Sequence, residues 1–263
     1  MRQAPPRTTV PHGARSLNLP PPFRLVVLRE VGDAFAHACA RAGELGAGTL
    51  VFVGRFDLAE FAVVLEPEQP LNVARLAFYA GMVALGDALA AGAPPEKPIA
   101  IDWPDAIQVD HGLVGGGRLA WPGGCEEDAV PAWLVFGAII RTVSLREAEA
   151  ALHPMATALA EEGFDDASAE RLAEQFARHL MVAIDRWQES GSARLVRDYL
   201  SRLMPVNRTR YEIADNGDLL IASPGRKTER RHLAAALQTP SWLDPATAGP
   251  LLEWPPPARR ARQ

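Results

Sequence analysis

A chain of 263 residues, 48 % hydrophobic and 22 % charged, has enough apolar residues for one substantial core with a small appendage, as expected of a globular protein. A formal charge of -5 and a pI near 5.7 give no general electrostatic pull toward nucleic acid or an anionic membrane surface, so neither partner is expected. Two cysteines, Cys39 and Cys125, without CxxC spacing, exclude a disulfide framework and suit a reducing, cytoplasmic compartment.

The N-terminal MRQAPPRTTVPHGARSLNLPPPF has no uninterrupted apolar segment and reads as a loose, Pro-rich leader over residues 1–22. RLVVLRE, from Arg24, suits a short buried strand. Asp33 is placed to cap a helix carrying Phe35, Cys39, Ala42 and Leu45 on one face and ending at Gly46. TLVFV, the connection GRFDLAE and then FAVVLEP predict an antiparallel hairpin. A long helix is expected from Asn72 to about Gly92. Its apolar part, Leu76 to Ala93, is interrupted by Gly86 and Asp87 and is read as a buried helix, not a membrane span.

From Lys97 to Leu145 nearly everything reads as strand: PIAID, AIQVD, GLVGGGRLAW and WLVFGAIIRTVSL, separated by Trp-Pro-Asp, Asp-His-Gly and Pro-Gly-Gly turns. Two helices follow. The first is capped by Asp165 or Asp166 and buries Leu172, Phe176, Leu180, Ala183 and Trp187; the second follows Ser192 with Leu195, Tyr199 and Leu203. Pro205 and Asn207 close a main domain over 23–205. YEIADNGDLLIAS predicts a hairpin turning at Asp215-Asn216-Gly217, within a unit (206–250) too small to fold alone and expected to dock on the main domain. Residues 251–263 are expected to be disordered. The order predicts an α+β fold, a mixed sheet with helices packed on one face and a small C-terminal β-containing appendage.

One segment narrows the fold further. Asp102-Trp103-Pro104-Asp105-Ala106-Ile107, a short hairpin and then Gly115-Gly116-Gly117 resemble the biotin protein ligase signature, a Lys-Trp-Pro-Asn-Asp run followed by a Lys-Val-Ala-Gly strand. WLVFGAII resembles that family's Gly-rich apolar strand, Ala156-Thr157-Ala158-Leu159 its Ala-Thr-Ser-Leu helix, and FARHLMVAIDRWQESG its closing helices. Over residues 24 to 204 the chain thus resembles a divergent member of the biotin/lipoate protein ligase family, which includes lipoate ligases and octanoyltransferases.

The resemblance implies a two-step reaction in which ATP with Mg activates a biotin-, lipoate- or octanoate-like acid, and a lysine of a biotinyl or lipoyl carrier domain then attacks the acyl-adenylate. It also implies a homodimer. It places ligand contacts at Arg55, Asp102, Trp103, Asp105, Gly115, Gly116, Gly117, Arg118, Gly137 and Arg141. No catalytic residue is assigned.

Departures from the family pattern are equally specific. Asp102 stands where the first lysine belongs. At about 4 Å and an effective dielectric near 20, a charge pair is worth about 4 kcal/mol, so the reversal of sign turns attraction into comparable repulsion. The second lysine aligns with Leu113 or Val114. Lys97 lies about five residues upstream, roughly 16 Å away along a strand, too far to substitute. Of 27 basic residues only Lys97 and Lys227 are lysines. The closing loop over the adenylate shrinks to GRFDLAE. Arg55, Arg118 and Arg141 are the groups that could compensate, since guanidinium binds carboxylate or phosphate bidentately.

Plainer readings stand beside these. Gly115 to Gly117 could mark a strand bulge or close packing. Asp102 and Asp105 could cap a turn or hold a cation or ligand amine. Cys125 sits among Glu126, Glu127 and Asp128, which disfavour a thiolate; Cys39 belongs on a core face. His37, His111, His153 and His179 show no metal-ligand spacing. Three functions remain: a ligase or acyltransferase, a binding protein that keeps the fold without adenylation, and a structural or oligomerising role.

Overall fold

The computed structural model describes residues 16–144, 155–206 and 208–254. The leader up to Arg15, the end of the predicted strand at Leu145, His153, Asn207 and residues 255–263 lie outside them. Of the tail expected to be disordered from 251, Leu251 and Trp254 are instead packed, the Leu251 amide bonding Trp242 O at 2.7 Å and Trp254 being buried.

Two short apolar runs, β1 (Arg24–Leu28) and β2 (Thr49–Val53), pair in parallel. A parallel pair needs a crossover, and α1 (Ala34–Leu45) supplies it. Asp33 caps α1, accepting a hydrogen bond from the Ala36 amide at 2.8 Å, and Gly46, with φ of 70°, ends it. β3 (Leu58–Leu65) returns antiparallel to β2. Four more strands, β4 (Ile99–Asp102), β5 (Ala106–Val109), β6 (Gly112–Ala120) and β7 (Leu134–Arg141), complete a mixed seven-stranded sheet ordered β1-β2-β3-β7-β6-β5-β4.

The predicted helix from Asn72 is two helices, α2 (Leu71–Ala74) and α3 (Ala77–Ala90). Arg75, at the junction, is turned inward to Glu127 and lies over the Trp121 ring at 5.6 Å. The stretch Leu71–Ala90 is long and apolar enough to cross a membrane, but 83 % of its apolar window is buried inside the protein, as in a core helix. α3 meets the sheet where Gly81 lies on Phe136; a Cβ at Gly81 would sit 2.3 Å from that ring. α4 (Ala169–Ser190) and α5 (Ser192–Leu200) finish this layer. Ser168, not Asp165 or Asp166, is the α4 cap: its hydroxyl accepts from the Arg171 amide at 3.3 Å, while Asp166 accepts from Ser168 N at 3.0 Å. A serine immediately before the helix, two residues nearer than Asp166, has the shorter reach to the free amides.

Helices cover both sheet faces, which corrects the expectation of a single helical face. Leu50, Phe52, Phe61 and Phe136 point to α3 and α4, whereas Val51, Val53, Ala62, Val64 and Val135 point to α1. This strict alternation is what a sheet buried on both sides requires.

The C-terminal appendage holds β8 (Arg210–Ile213), β9 (Leu219–Ala222) and β10 (Glu229–Arg231) in one small sheet, α6 (Leu233–Ala236), and a two-stranded ladder of β11 (Leu243–Asp244) and β12 (Gly249–Pro250). Its turn at Gly217 receives a hydrogen bond from the Tyr79 hydroxyl of α3 at 2.6 Å. Leu219, Leu233 and Leu237 join the main core.

Candidate functional site on the α1 face of the sheet

Side-chain direction along β6 sets this site. Leu113 points to the α1 face and Val114 to the α3 face; regular alternation would put Gly116 beside Val114. A register shift between Ile107 and Gln108 of β5, opposite Gly115, moves the phase by one residue. Gly115 absorbs the shift with φ of 151°. Gly116 and Arg118 therefore share the α1 face, while Gly117 turns to Met82 and Phe136.

Cross-strand pairs lay out the surface in rows. Glu60, Ile139, Gly116 and Ala106 form one, Ala62, Gly137 and Arg118 the next, and Leu58 and Arg141 the row on the other side of the first. Phe35 of α1 covers Gly137. Between α1 and the C-terminal segment lies a polar strip. Arg118 donates to Asp33 at 3.2 Å and its guanidinium lies 4.2 Å from the Phe35 ring centre. Burial lowers the Arg118 pKa, opposed by the carboxylates of Asp33 and Glu60. Glu60 is buried, which raises its pKa, and it accepts from the Ala34 amide at 2.9 Å. Arg55 grips Asp57 through two bonds of 2.7 and 2.6 Å, holding that carboxyl below its usual range.

The first row is covered. Trp242 lies on Gly116, so close that a Cβ there would be 2.4 Å from the indole and 2.1 Å from the Asp105 carbonyl oxygen. The indole N–H donates to Gly117 O at 3.1 Å, and Ser241 donates to the Asp105 carboxylate through its amide at 2.8 Å and its hydroxyl at 2.5 Å. Trp242 and Trp254 complete a small core with Leu58, Ala106, Leu113 and Ile139. Arg141 spans to Pro250 O at 2.7 Å and Thr157 O at 3.2 Å.

The sequence-derived residues thus separate. Arg55, Arg118, Gly116, Gly137 and Arg141 lie on the α1 face, and the Asp105 carboxylate meets the segment that covers it. Trp103 is in the opposite core, its N–H 3.2 Å from the Tyr79 hydroxyl. Asp102 ends β4, opposite Ala106, and its charge helps raise the pKa of Tyr199, which burial dominates. Lys97 is held by Asp110 and Glu162 at 2.6 and 2.9 Å. Trp242, Trp254, Ser241 and Glu60 escape a motif-based reading. The Ser-Trp-Leu-Asp run was the signal available, an apolar cluster in a segment otherwise rich in turn residues.

Cys39 faces this strip; burial, opposed by the charge of Arg118 and aided by that of Asp33, pushes its pKa up to about 11. Alkylation at pH 8 should accordingly be about 100-fold slower than for an ordinary thiol, in proportion to the thiolate fraction. Peptide-level labelling with iodoacetamide checks this. A cavity of about 290 Å³ lies away from this face, between the end of α3, the start of α4 and Phe164. Among the described residues no group of three His, Cys, Asp or Glu side chains could hold a metal ion.

Comparison with known proteins accords with this architecture. A biotin protein ligase-like protein of unknown function from Silicibacter sp. TM1040 superposes with a TM-score of 0.73 and 28 % identity, covering 84 % of this chain and 99 % of that one. Apo biotin protein ligase from Aquifex aeolicus gives 0.62 and 17 %, covering 80 % and 96 %, and biotin protein ligase from Leishmania major in complex with biotinyl-5-AMP gives 0.51 and 16 %, covering 80 % and 99 %. No curated protein matches the chain. The Biotin/lipoate A/B protein ligase family model matches residues 19–201, well over half the sequence, and the chain belongs to that family.

Proposed function

We propose that this protein binds a carrier-type protein domain and does not adenylate an acid. The observation that carries the reading is Trp242 on Gly116, which occupies the strand surface against which the family's acid would lie. Charge supports it. Adenylation needs cations aimed at developing phosphate charge. Asp102 replaces the first lysine, and the arginines offered as substitutes are engaged within the chain: Arg55 by Asp57, Arg118 by Asp33, Arg141 by two carbonyls. ATP with Mg and biotin or lipoate do not fit this arrangement.

The competing reading, attachment or transfer of a biotin-, lipoate- or octanoate-like acid, rests on the family's shared fold and motif order. A protein partner is favoured by two exposed apolar side chains beside the polar strip, Val31 (96 % exposed) after β1 and Phe56 (66 %) after β2, whose loops are joined by Gly54 N to Leu28 O at 3.2 Å. Such exposed side chains rimmed by charge suit a docking surface. A cytoplasmic location and a homodimer belong to the same proposal.

Full-length protein should therefore give no ATP–pyrophosphate exchange with biotin, lipoate or octanoate. It should bind a biotinyl or lipoyl carrier domain in calorimetry, with affinity reduced about tenfold or more by Phe56→Asp, the loss of an apolar anchor. Exchange above background with any of the three acids would overturn the reading.

A further inference from the structure

We infer that the cavity between the end of α3 and the start of α4 is a binding site for a small apolar primary ammonium, an amine carried on a short aryl or alkyl group. It lies in the α3–α4 layer, across the sheet from the face that carries Arg55, Arg118 and Arg141, and so goes beyond the reading above.

The cavity measures about 290 Å³, close to the lower limit of small-ligand pockets, and its floor is apolar: Leu89, Leu159, Phe164 and Leu172. Backbone bonds fix its shape. The Leu159 and Ala160 amides hold one wall to the end of β7, at Arg141 O (3.1 Å) and Thr142 O (2.9 Å), and the Phe164 amide closes the turn on Leu159 O at 3.2 Å. The Phe164 ring in turn rests against Gly92, 3.5 Å from where a Cβ would stand. The floor is therefore in place before any ligand arrives, which lowers the ordering cost of binding.

Charge at the rim selects the ligand class. α3 ends here, and Pro94 and Pro95, four residues after Ala90 and Ala91, have no N–H to close the last helical bonds. The Gly92 amide goes to Leu89 O at 3.0 Å, so among the described residues no backbone amide bonds the Ala88, Ala90 or Ala91 carbonyl. These carbonyls form the negative pole of the helix. The positive pole of α4 is met by its own cap, Ser168 Oγ accepting from the Arg171 amide at 3.3 Å. Asp165 adds a carboxylate that no described residue bonds, whereas Asp166 accepts from Ser168 N at 3.0 Å and feels the charge of Arg171. Two carboxylates and a helix pole against one guanidinium leave the rim net negative, which disfavours an anion. A primary ammonium brings three N–H donors to the carbonyls and Asp165, while its apolar part lies on the floor.

Backbone amide NMR of the full-length protein, titrated at neutral pH with phenethylamine, phenethyl alcohol and phenylpropionate, tests the site. The three share one phenylethyl group and differ in the charge of the head. Phenethylamine should shift the Gly92, Phe164 and Gln175 amides and bind about threefold or more tighter than the alcohol, the size of an exposed ion pair. Phenylpropionate should bind most weakly. Asp165→Asn, at an exposed residue with no bonded partner to lose, should bring the amine down to the alcohol, and Ala91→Trp, which fills the mouth, should abolish the shifts. Binding of the alcohol or phenylpropionate as tight as that of the amine would overturn the ammonium class, as would an unchanged amine preference in Asp165→Asn. Shifts centred elsewhere, or surviving Ala91→Trp, would overturn the site. Should Ala91→Trp fail to fold, the shift map of the parent protein decides. Carrier binding and pyrophosphate exchange do not enter these readouts, so the two proposals stand or fall separately.

Discussion

Gly115→Ala should destabilise the protein by about 2–6 kcal/mol, combining about 1–3 kcal/mol for a side chain in a glycine-only conformation with a similar overpacking cost. At φ of 151° its added Cβ would lie 1.9 Å from the Ile139 carbonyl oxygen, an atom of the neighbouring strand's backbone that cannot rotate away. β6 would have to lose its bulge, and with it the phase shift that puts Gly116 and Arg118 on the α1 face. Gly117→Ala meets side chains instead, the Met82 sulfur at 2.6 Å and Phe136 ring atoms from 2.9 Å, and the flexible Met82 can give way. Urea denaturation of the two variants should show Gly115→Ala as much the worse. If Gly115→Ala were no worse than Gly117→Ala, the bulge would not be what the glycine is for.

The three glycines also show how far the sequence could be read. As a motif they identify the family, because their position after Trp-Pro-Asp is a pattern of residue types. Their reasons differ, however: a bulge at Gly115, an indole at Gly116, a helix face at Gly117. Only the first is local to the strand. What lies on Gly116 comes from more than 120 residues further along the chain, and no spacing rule connects Ser-Trp to a strand that distant. The strands and α1 were legible for the opposite reason: their signals, alternation and an Asp cap followed by a helical apolar face, are contained within each element. The single-face arrangement of helices fails because the face that α1 takes is decided by the crossover from β1 to β2, which no residue within α1 signals.

Arginine is where sequence and site diverge most. Three arginines on the α1 face suggest a substitute anion site when only the cations are counted. The structure adds Asp33, Asp57 and Glu60 to the same strip, three carboxylates against Arg55 and Arg118. Ordinary acids in loops and strand ends carry no motif, so their convergence on one face is invisible until the sheet is assembled. Arg141 instead bonds the Thr157 and Pro250 carbonyls, feels the charge of Glu161, and sits under the C-terminal segment.

The polar centre of the C-terminal appendage is Asp218, 3 % exposed. It accepts from the Leu233 amide at 3.0 Å, Arg230 Nε at 2.8 Å and Asn216 Nδ2 at 3.1 Å, and its carboxylate lies 2.9 Å from His232 Nδ1. Burial would raise its pKa, but these bonds outweigh it and hold the carboxyl at about 2. A folded-state pKa below the unfolded value stabilises the protein above about pH 4, and the stabilisation is lost as the pH falls from about 4 toward 2. The shift corresponds to about 2 kcal/mol at neutral pH. Asp218→Ala should cost about 2–4 kcal/mol, since it also leaves the buried Leu233 amide without an acceptor. The variant's stability should fall less steeply between pH 4 and 2 than the parent's, by about 2 kcal/mol over that window. Urea midpoints at pH 7, 4 and 2.5 measure both effects, and identical acid slopes in the two proteins would remove Asp218 as the clasp of the appendage.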